Sequence, residues 1–276
     1  MKCNESIAIL MGTYNGDAYL SEQIDSILNQ TFTEWHLYVH DDGSTDNTQA
    51  LLQQYASQQP AKITILNYEP QGGACKNFLS LLAKIDATYY MFCDQDDVWF
   101  SDKIEKTYAR MRTLEEKTEG LPIIVHTDLY VVDAKLNMLS TSFIKDQHIM
   151  IDRIRSFADY AATNTVTGCT MLFNMAAKQC MKRPYNKAIM HDAWICLSVA
   201  AHRGVIDFIN EPLIKYRQHG NNTLGANDIA KYTWQHKLKN ILQLVKANIR
   251  HYQEMNAVKP LSLVKYVKAK KKYKKG

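Results

Sequence analysis

The chain has 276 residues, 46% apolar and 22% charged, with a formal net charge of +5. That composition is ordinary for a soluble globular protein and sufficient for a substantial core. No apolar run reaches the roughly eighteen residues of a membrane-spanning helix, and Met1–Glu5 leads straight into a short strand pattern, so neither a transmembrane helix nor a signal peptide is expected.

Ser6–Met11 is a short buried strand, and Tyr19–Gln30 places Leu20, Ile24, Ile27 and Leu28 on one helical face. His36–His40 alternates as a strand, and Ser44–Tyr55 is a helix capped by Ser44 or Thr45. Lys62–Leu66 is a strand, Lys76–Ile85 a helix after Gly72-Gly73, Tyr89–Cys93 a strand, Ser101–Lys117 a long helix and Ile123–His126 a strand. Beyond Thr127 the pattern is less regular: Val166–Phe173 and Leu213–Tyr216 are strands, and His191–Arg203 is a helix. Such alternation predicts an α/β fold, a mostly parallel central sheet flanked by helices. From Ala230 onward the chain is helical and Lys-rich, which divides it into an α/β domain at 1–228 and a basic amphipathic helical extension at 229–276. Cys3, Cys75, Cys93, Cys169, Cys180 and Cys196 form no CxxC pair and are expected to be reduced thiols.

Two acidic clusters follow predicted strands, where sheets of this kind bind ligands. Asp94, Asp96 and Asp97 come directly after Tyr89–Cys93. Packed carboxylates repel one another unless a cation neutralises them, and oxygen-rich clusters suit Mg²⁺ or Mn²⁺. Asp41 and Asp42 end the second strand before the turn Gly43-Ser44-Thr45, where a carboxylate can accept from a base N–H or a ribose hydroxyl.

Six segments in order then resemble a family 2 glycosyltransferase of the GT-A fold, over roughly residues 5–225. They are Thr13-Tyr14-Asn15, Asp41–Asp46, Asp94-Gln95-Asp96-Asp97-Val98-Trp99, Thr167-Gly168-Cys169, His191-Asp192-Ala193-Trp194 and Arg217-Gln218-His219-Gly220-Asn221-Asn222. The resemblance implies that Thr13, Tyr14, Asn15, Asp41 and Asp42 contact the donor nucleotide, and Lys76, after Gly72-Gly73, is a further candidate for a donor phosphate or the acceptor. It also implies that Asp94 and Asp96 form the DxD element, with Asp96 as principal metal ligand and Asp94 on the ribose or metal, and that Asp192 is the catalytic base. His219 is a further candidate metal ligand. Asp97, Trp99, Gly168, His191, Trp194 and Arg217 are candidate acceptor or phosphate contacts, and His191 stands where other members carry Glu. The acidic motif with the late Arg217–Asn222 segment is similar to the bacterial rhamnosyltransferase branch. That similarity implies dTDP-rhamnose as donor, with UDP-hexoses as the alternative, and a glycan or lipid-linked oligosaccharide as acceptor.

Lys231–Gly276 holds thirteen Lys or Arg against Glu254 alone, +12, which leaves residues 1–230 at −7 of the total +5. Trp234, Leu238, Ile241, Leu242, Val245 and Ile249 recur at helical spacing among lysines, and seven lysines fall in Lys265–Lys275. Basic amphipathic segments bind anionic lipid, so a cytoplasmic protein peripheral on the inner face of the membrane is expected; the competing expectation is that the stripe packs on the catalytic domain. A sugar-phosphate nucleotidyltransferase would carry a basic Gly-rich loop after the first strand, and Gly12–Asp17 has no Lys or Arg. A nucleic-acid-binding protein would not present an acidic body, so no nucleic-acid partner is expected.

Overall fold

A computed structural model describes residues 6–163, 165–181, 187–220 and 249–273. Strand and helix alternate through β1 (Ile7–Thr13), α1 (Leu20–Leu28), β2 (Trp35–Asp41), α2 (Thr48–Gln58), β3 (Ile63–Ile65), α3 (Ala74–Lys84) and β4 (Tyr89–Cys93). There follow β5 (Val98–Trp99), α4 (Lys103–Glu115), β6 (Ile123–Asp133), β7 (Met138–Ser140), α5 (Phe143–Asp146), α6 (Phe157–Ala162), β8 (Leu172–Asn174), α7 (Met175–Gln179), α8 (His191–Ala201) and β9 (Val205–Gln218). A helix over 249–258, here α9, and α10 (Leu263–Tyr273) complete the described chain.

The strands form one sheet in the order β3-β2-β1-β4-β8-β6-β9-β5, with β7 paired to β6. Most of the ladder is parallel: β1 pairs β2 and β4, β2 pairs β3, and β6 pairs β9 over ten register positions. The short pairings of β8 with β4 and β6, and of β5 with β9, are antiparallel. Because both faces of the sheet are covered, β4 and β1 up to Met11 are apolar and alternate between two cores. Ile7, Ile9 and Met11 join Tyr89, Met91 and Cys93 on one face, while Ala8 and Leu10 join Tyr90 and Phe92 on the other. Each large aliphatic or aromatic side chain buried this way contributes about 1.5–3 kcal/mol.

Three local expectations change. The helix expected from Ser44 begins at Thr48, because Ser44 bonds Asp41 and the Thr45 N–H bonds Asn15, which holds both in the loop. Val166–Phe173 is not one strand: the Thr170 N–H and hydroxyl both bond the Thr167 carbonyl, closing a turn at Gly168–Thr170 before β8. The strand expected at Leu213–Tyr216 is the apolar end of the fourteen-residue β9, whose half-buried first part lacks a clean alternation.

The described part of the C-terminal extension shares the core of the body. Met255, Val258 and Tyr266 pack with Phe78 of α3 and Trp194 of α8, and Lys272 bonds Asp159 at 3.0 Å. The predicted boundary at 228/229 and the stripe from Trp234 to Val245 lie outside the described residues; Ile249, its last member, is exposed. Among the described residues no helix is long and apolar enough to cross a membrane.

Candidate active site

Parallel pairing brings the carboxyl ends of β1, β2 and β4 side by side, with Thr13 opposite Asp41 and Met11 opposite Cys93. Asp41 Oδ1 accepts from Thr13 Oγ1 (2.9 Å) and Ser44 Oγ (2.5 Å), and its Oδ2 from the Ser44 N–H and Gln49 Nε2 (both 2.9 Å). All four acceptor positions of this carboxylate are therefore engaged. Gln49, the exposed member of this set, also donates to the Ser44 carbonyl. Asn15 sits at φ 46°, where its N–H donates to Ser44 Oγ and its Oδ1 accepts from the Thr45 N–H. The Tyr14 backbone pairs both ways with the Gln95 side chain, which leaves its ring 57% exposed at the mouth of the site.

Asp42 turns to the loop before α3. Its carboxylate accepts the N–H groups of Gln71, Gly72 and Gly73 and so anchors the loop before α3. Gly72 and Gly73 have φ of 74° and 132°, which lets consecutive N–H groups converge there. Lys76 is exposed on the first turn of α3.

The acidic loop is clamped from the far edge of the sheet. β5 pairs with β9, and the end of β9 folds over the loop. The Arg217 N–H donates to Asp97 Oδ1 (3.1 Å), and its guanidinium donates to the Asp96 carbonyl (2.8 Å), the Ala134 carbonyl (2.7 Å) and Glu22 Oε2. Two residues on, His219 Nε2 lies 2.7 Å from Asp96 Oδ2, so the two predicted metal ligands are together. Ligand atoms of Asp94, Asp97 and Cys169 lie within 4.8 Å of one another. Burial, then the like charges of Asp96 and Asp192, push the Asp94 carboxyl up to about 7. Burial, then Asp96 and Asp94, push Asp97 well above the usual carboxylate range, and its Oδ2 is buried without a hydrogen-bond partner. Crowded, desolvated carboxylates with an unsatisfied oxygen fit a hard divalent cation such as Mn²⁺ or Mg²⁺. Cys169 Sγ lies in the same cluster, and burial, then Asp97 and Asp94, raise its thiol well above the ordinary range.

Asp192 opens α8. Its Oδ2 accepts the Gly168 N–H (3.2 Å) and its Oδ1 the Ala193 N–H (2.6 Å). Gly168 is followed by Cys169, so this anchor ties Asp192 to the acidic loop. A Cβ on Gly168 would lie 2.6 Å from His191 Nε2, so the glycine makes room for that ring.

Four candidate contacts are corrected by burial. His191 packs against Phe78 and Phe92, and burial lowers it to about 3, which leaves a neutral ring with no charge for a phosphate. Trp194 is 2% exposed in the core, and Trp99 is 3% exposed beneath Lys103 Nζ, 3.4 Å from its ring centroid, so neither offers a face to a sugar. Arg217, 1% exposed, holds the loop rather than a phosphate. Gln95 and Cys169 fall inside the sequence motifs without an assigned role, and sequence reasoning missed Tyr216. Burial, followed by the charges of Asp94 and Asp97, raises the Tyr216 hydroxyl.

Residues 8–180 match the family model described as Glycosyl transferase family 2. The chain is 30% identical over 229 residues to the dTDP-rhamnosyl transferase RfbG of Shigella flexneri, covering 79% of this chain and 74% of that one. The structure resembles TarS residues 1–349 of S. aureus in complex with UDP-GlcNAc (TM-score 0.56, 13% identity, 97% of this chain and 80% of that chain). It also resembles the mannosyltransferase PcManGT of Pyrobaculum calidifontis in complex with GDP-Man and Mn²⁺ (TM-score 0.57, 15% identity, 95% and 77%). These likenesses show a GT-A-like fold.

Proposed function

Since the chain belongs to glycosyl transferase family 2, we propose that it is an inverting, metal-dependent enzyme that moves a sugar from a nucleotide-sugar donor to an acceptor hydroxyl activated by Asp192. Thr13, Tyr14, Asn15 and Asp41 hold the nucleoside, and Asp94 and Asp96, with His219, hold the metal end of the diphosphate. A divalent cation held by these residues would offset the charge gathering on the departing nucleoside diphosphate. The acceptor oxygen forms a bond to the anomeric carbon from the face opposite the diphosphate, the carbon–oxygen bond to the diphosphate breaks with its electron pair, and Asp192 takes the hydroxyl proton. The observation that carries this reading is the convergence of chain-distant acids: Asp192 is anchored on Gly168, and the next residue, Cys169, lies against Asp94 and Asp97.

The similarity to the Shigella rhamnosyltransferase favours dTDP-rhamnose, with a UDP-hexose as the alternative donor. A glycan or lipid-linked oligosaccharide of a bacterial surface polysaccharide is the acceptor, reached at the inner face of the membrane. The exposed Leu263, Val264 and Val267 of α10, beside Lys268 and Lys271, support contact with an anionic bilayer, each lysine contributing about 1 kcal/mol. The test is slow hydrolysis across a panel of nucleotide sugars with and without Mn²⁺ or Mg²⁺. One donor is consumed only with metal and only by protein retaining Asp96; consumption that survives EDTA and Asp96→Ala overturns the assignment.

A further inference from the structure

The segment that delivers Asp192 to the site is held by the C-terminal extension. Ile189 lies two residues before α8, and its backbone N–H donates to Glu254 Oε1 of α9 at 2.8 Å. The same carboxylate meets His251 Nδ1 at 3.1 Å through Oε2, and His251 Nε2 reaches the Ala161 carbonyl of α6 at 2.8 Å. Glu254 is 1% exposed, and its helix is fixed in place by Met255 and Val258, which are buried against α3 and α8. From the other side, Cys75 of α3 approaches the Ala188 carbonyl at 3.9 Å. Burial, then Asp192, then Glu254, push that thiol up to about 12, so both carboxylates act on one spot.

A buried carboxylate that accepts a backbone N–H is a strong, directional tether, and without the acceptor this part-buried N–H loses its protein partner. Met190, the next residue, supplies the carbonyl that receives the Trp194 N–H in the first turn of α8. Any shift of Ile189 is therefore passed to the helix start and to Asp192, whose bonds to Gly168 and Ala193 fix its direction.

We propose that Glu254 is a positioning residue for Asp192: the C-terminal extension, through the Glu254–Ile189 bond, holds the start of α8 in the register that points the base at the acceptor. The inference rests on Asp192 being the base. It assigns the extension a part in turnover separate from any lipid contact.

The test compares full-length Glu254→Leu, Glu254→Gln and Asp192→Asn with wild type, using calorimetry with UDP and Mn²⁺, hydrolysis of dTDP-rhamnose and of UDP-glucose, and hydrogen exchange over residues 187–196. Gln keeps an oxygen for the Ile189 N–H, whereas Leu does not. Glu254→Leu is expected to bind UDP and Mn²⁺ as wild type does, to lose roughly 10- to 100-fold in kcat with little change in KM, and to exchange the Ile189 amide faster. Glu254→Gln restores both properties. An unchanged kcat in Glu254→Leu, or equal losses in Leu and Gln, overturns the proposal. In wild type the Ile189 amide exchanges slowly, and rapid exchange there overturns the proposal even if Glu254→Leu does not fold. An active Asp192→Asn instead removes the base assignment on which the proposal rests.

Discussion

Replacing Gly168 by Ala probes how closely the start of α8 is fitted to the acidic loop. The added carbon would lie 2.6 Å from His191 Nε2, 3.3 Å from Cε1 and 3.5 Å from Cδ2. A relaxed carbon–nitrogen contact is about 3.5 Å, so the ring must retreat by about 1 Å. It has no room to rotate, because Phe78 stands 4.3 Å and Phe92 4.7 Å away between ring centroids. The backbone yields instead, and Asp192, bonded to the Gly168 N–H, moves with it. Overpacking of this kind costs about 1–3 kcal/mol, and a shift of about 1 Å in a base costs roughly 100-fold in rate. Urea unfolding and steady-state donor consumption read the two effects separately. The double variant Gly168→Ala with His191→Ala removes the clashing ring, so the two changes couple by about 1–2 kcal/mol in the favourable direction. A Gly168→Ala protein within about 0.5 kcal/mol of wild type and with an unchanged kcat refutes the fit described here.

Asp192→Asn keeps the shape of the site but cannot take a proton, so kcat falls by about 10²- to 10⁴-fold while UDP–Mn²⁺ binding by calorimetry is unchanged. Arg217→Ala removes the guanidinium bonds to the Asp96 and Ala134 carbonyls and to Glu22; thermal unfolding should show a loss of about 3 kcal/mol, and Arg217→Lys should not restore it. Burial lowers His126 to about 4 and His191 to about 3. Their neutral forms are favoured in the folded state, so stability is full above pH 6.5 and is lost as pH falls toward 4, by about 1.4 kcal/mol per pH unit for each ring. His126→Leu should flatten that acid limb by one proton in a pH series of urea melts; an unchanged slope contradicts the assignment.

The parallel half of the fold was legible because β1 and β4 read as apolar runs, β2 alternates, and the acid clusters fall where β2 and β4 stop. β1, β2 and β4 all appear within two residues of their expected ends. The direction of a side chain at a helix or strand start was not legible. Trp99 and Trp194 stand beside acids in the sequence, yet packing turns both inward, and Arg217 has the chemistry of a phosphate contact but serves as a clamp. Asp42 and Ser44 look like ligand and cap, whereas their partners are Gln71–Gly73 and Asp41. Tyr216 and Glu254 gave no local signal, because each acquires its role through a partner far along the chain.

The central claim is that the acidic loop holds a nucleoside diphosphate through a divalent cation. Calorimetric titration of UDP and of dTDP into wild type and Asp96→Ala, each with Mn²⁺ and with EDTA, tests it directly. One nucleotide should bind wild type with Mn²⁺ and weaken by about 100-fold or more with EDTA or in Asp96→Ala, consistent with the loss of a paired, desolvated charge. Equal affinity in all four arms, or no binding of either nucleotide in any of them, contradicts the account.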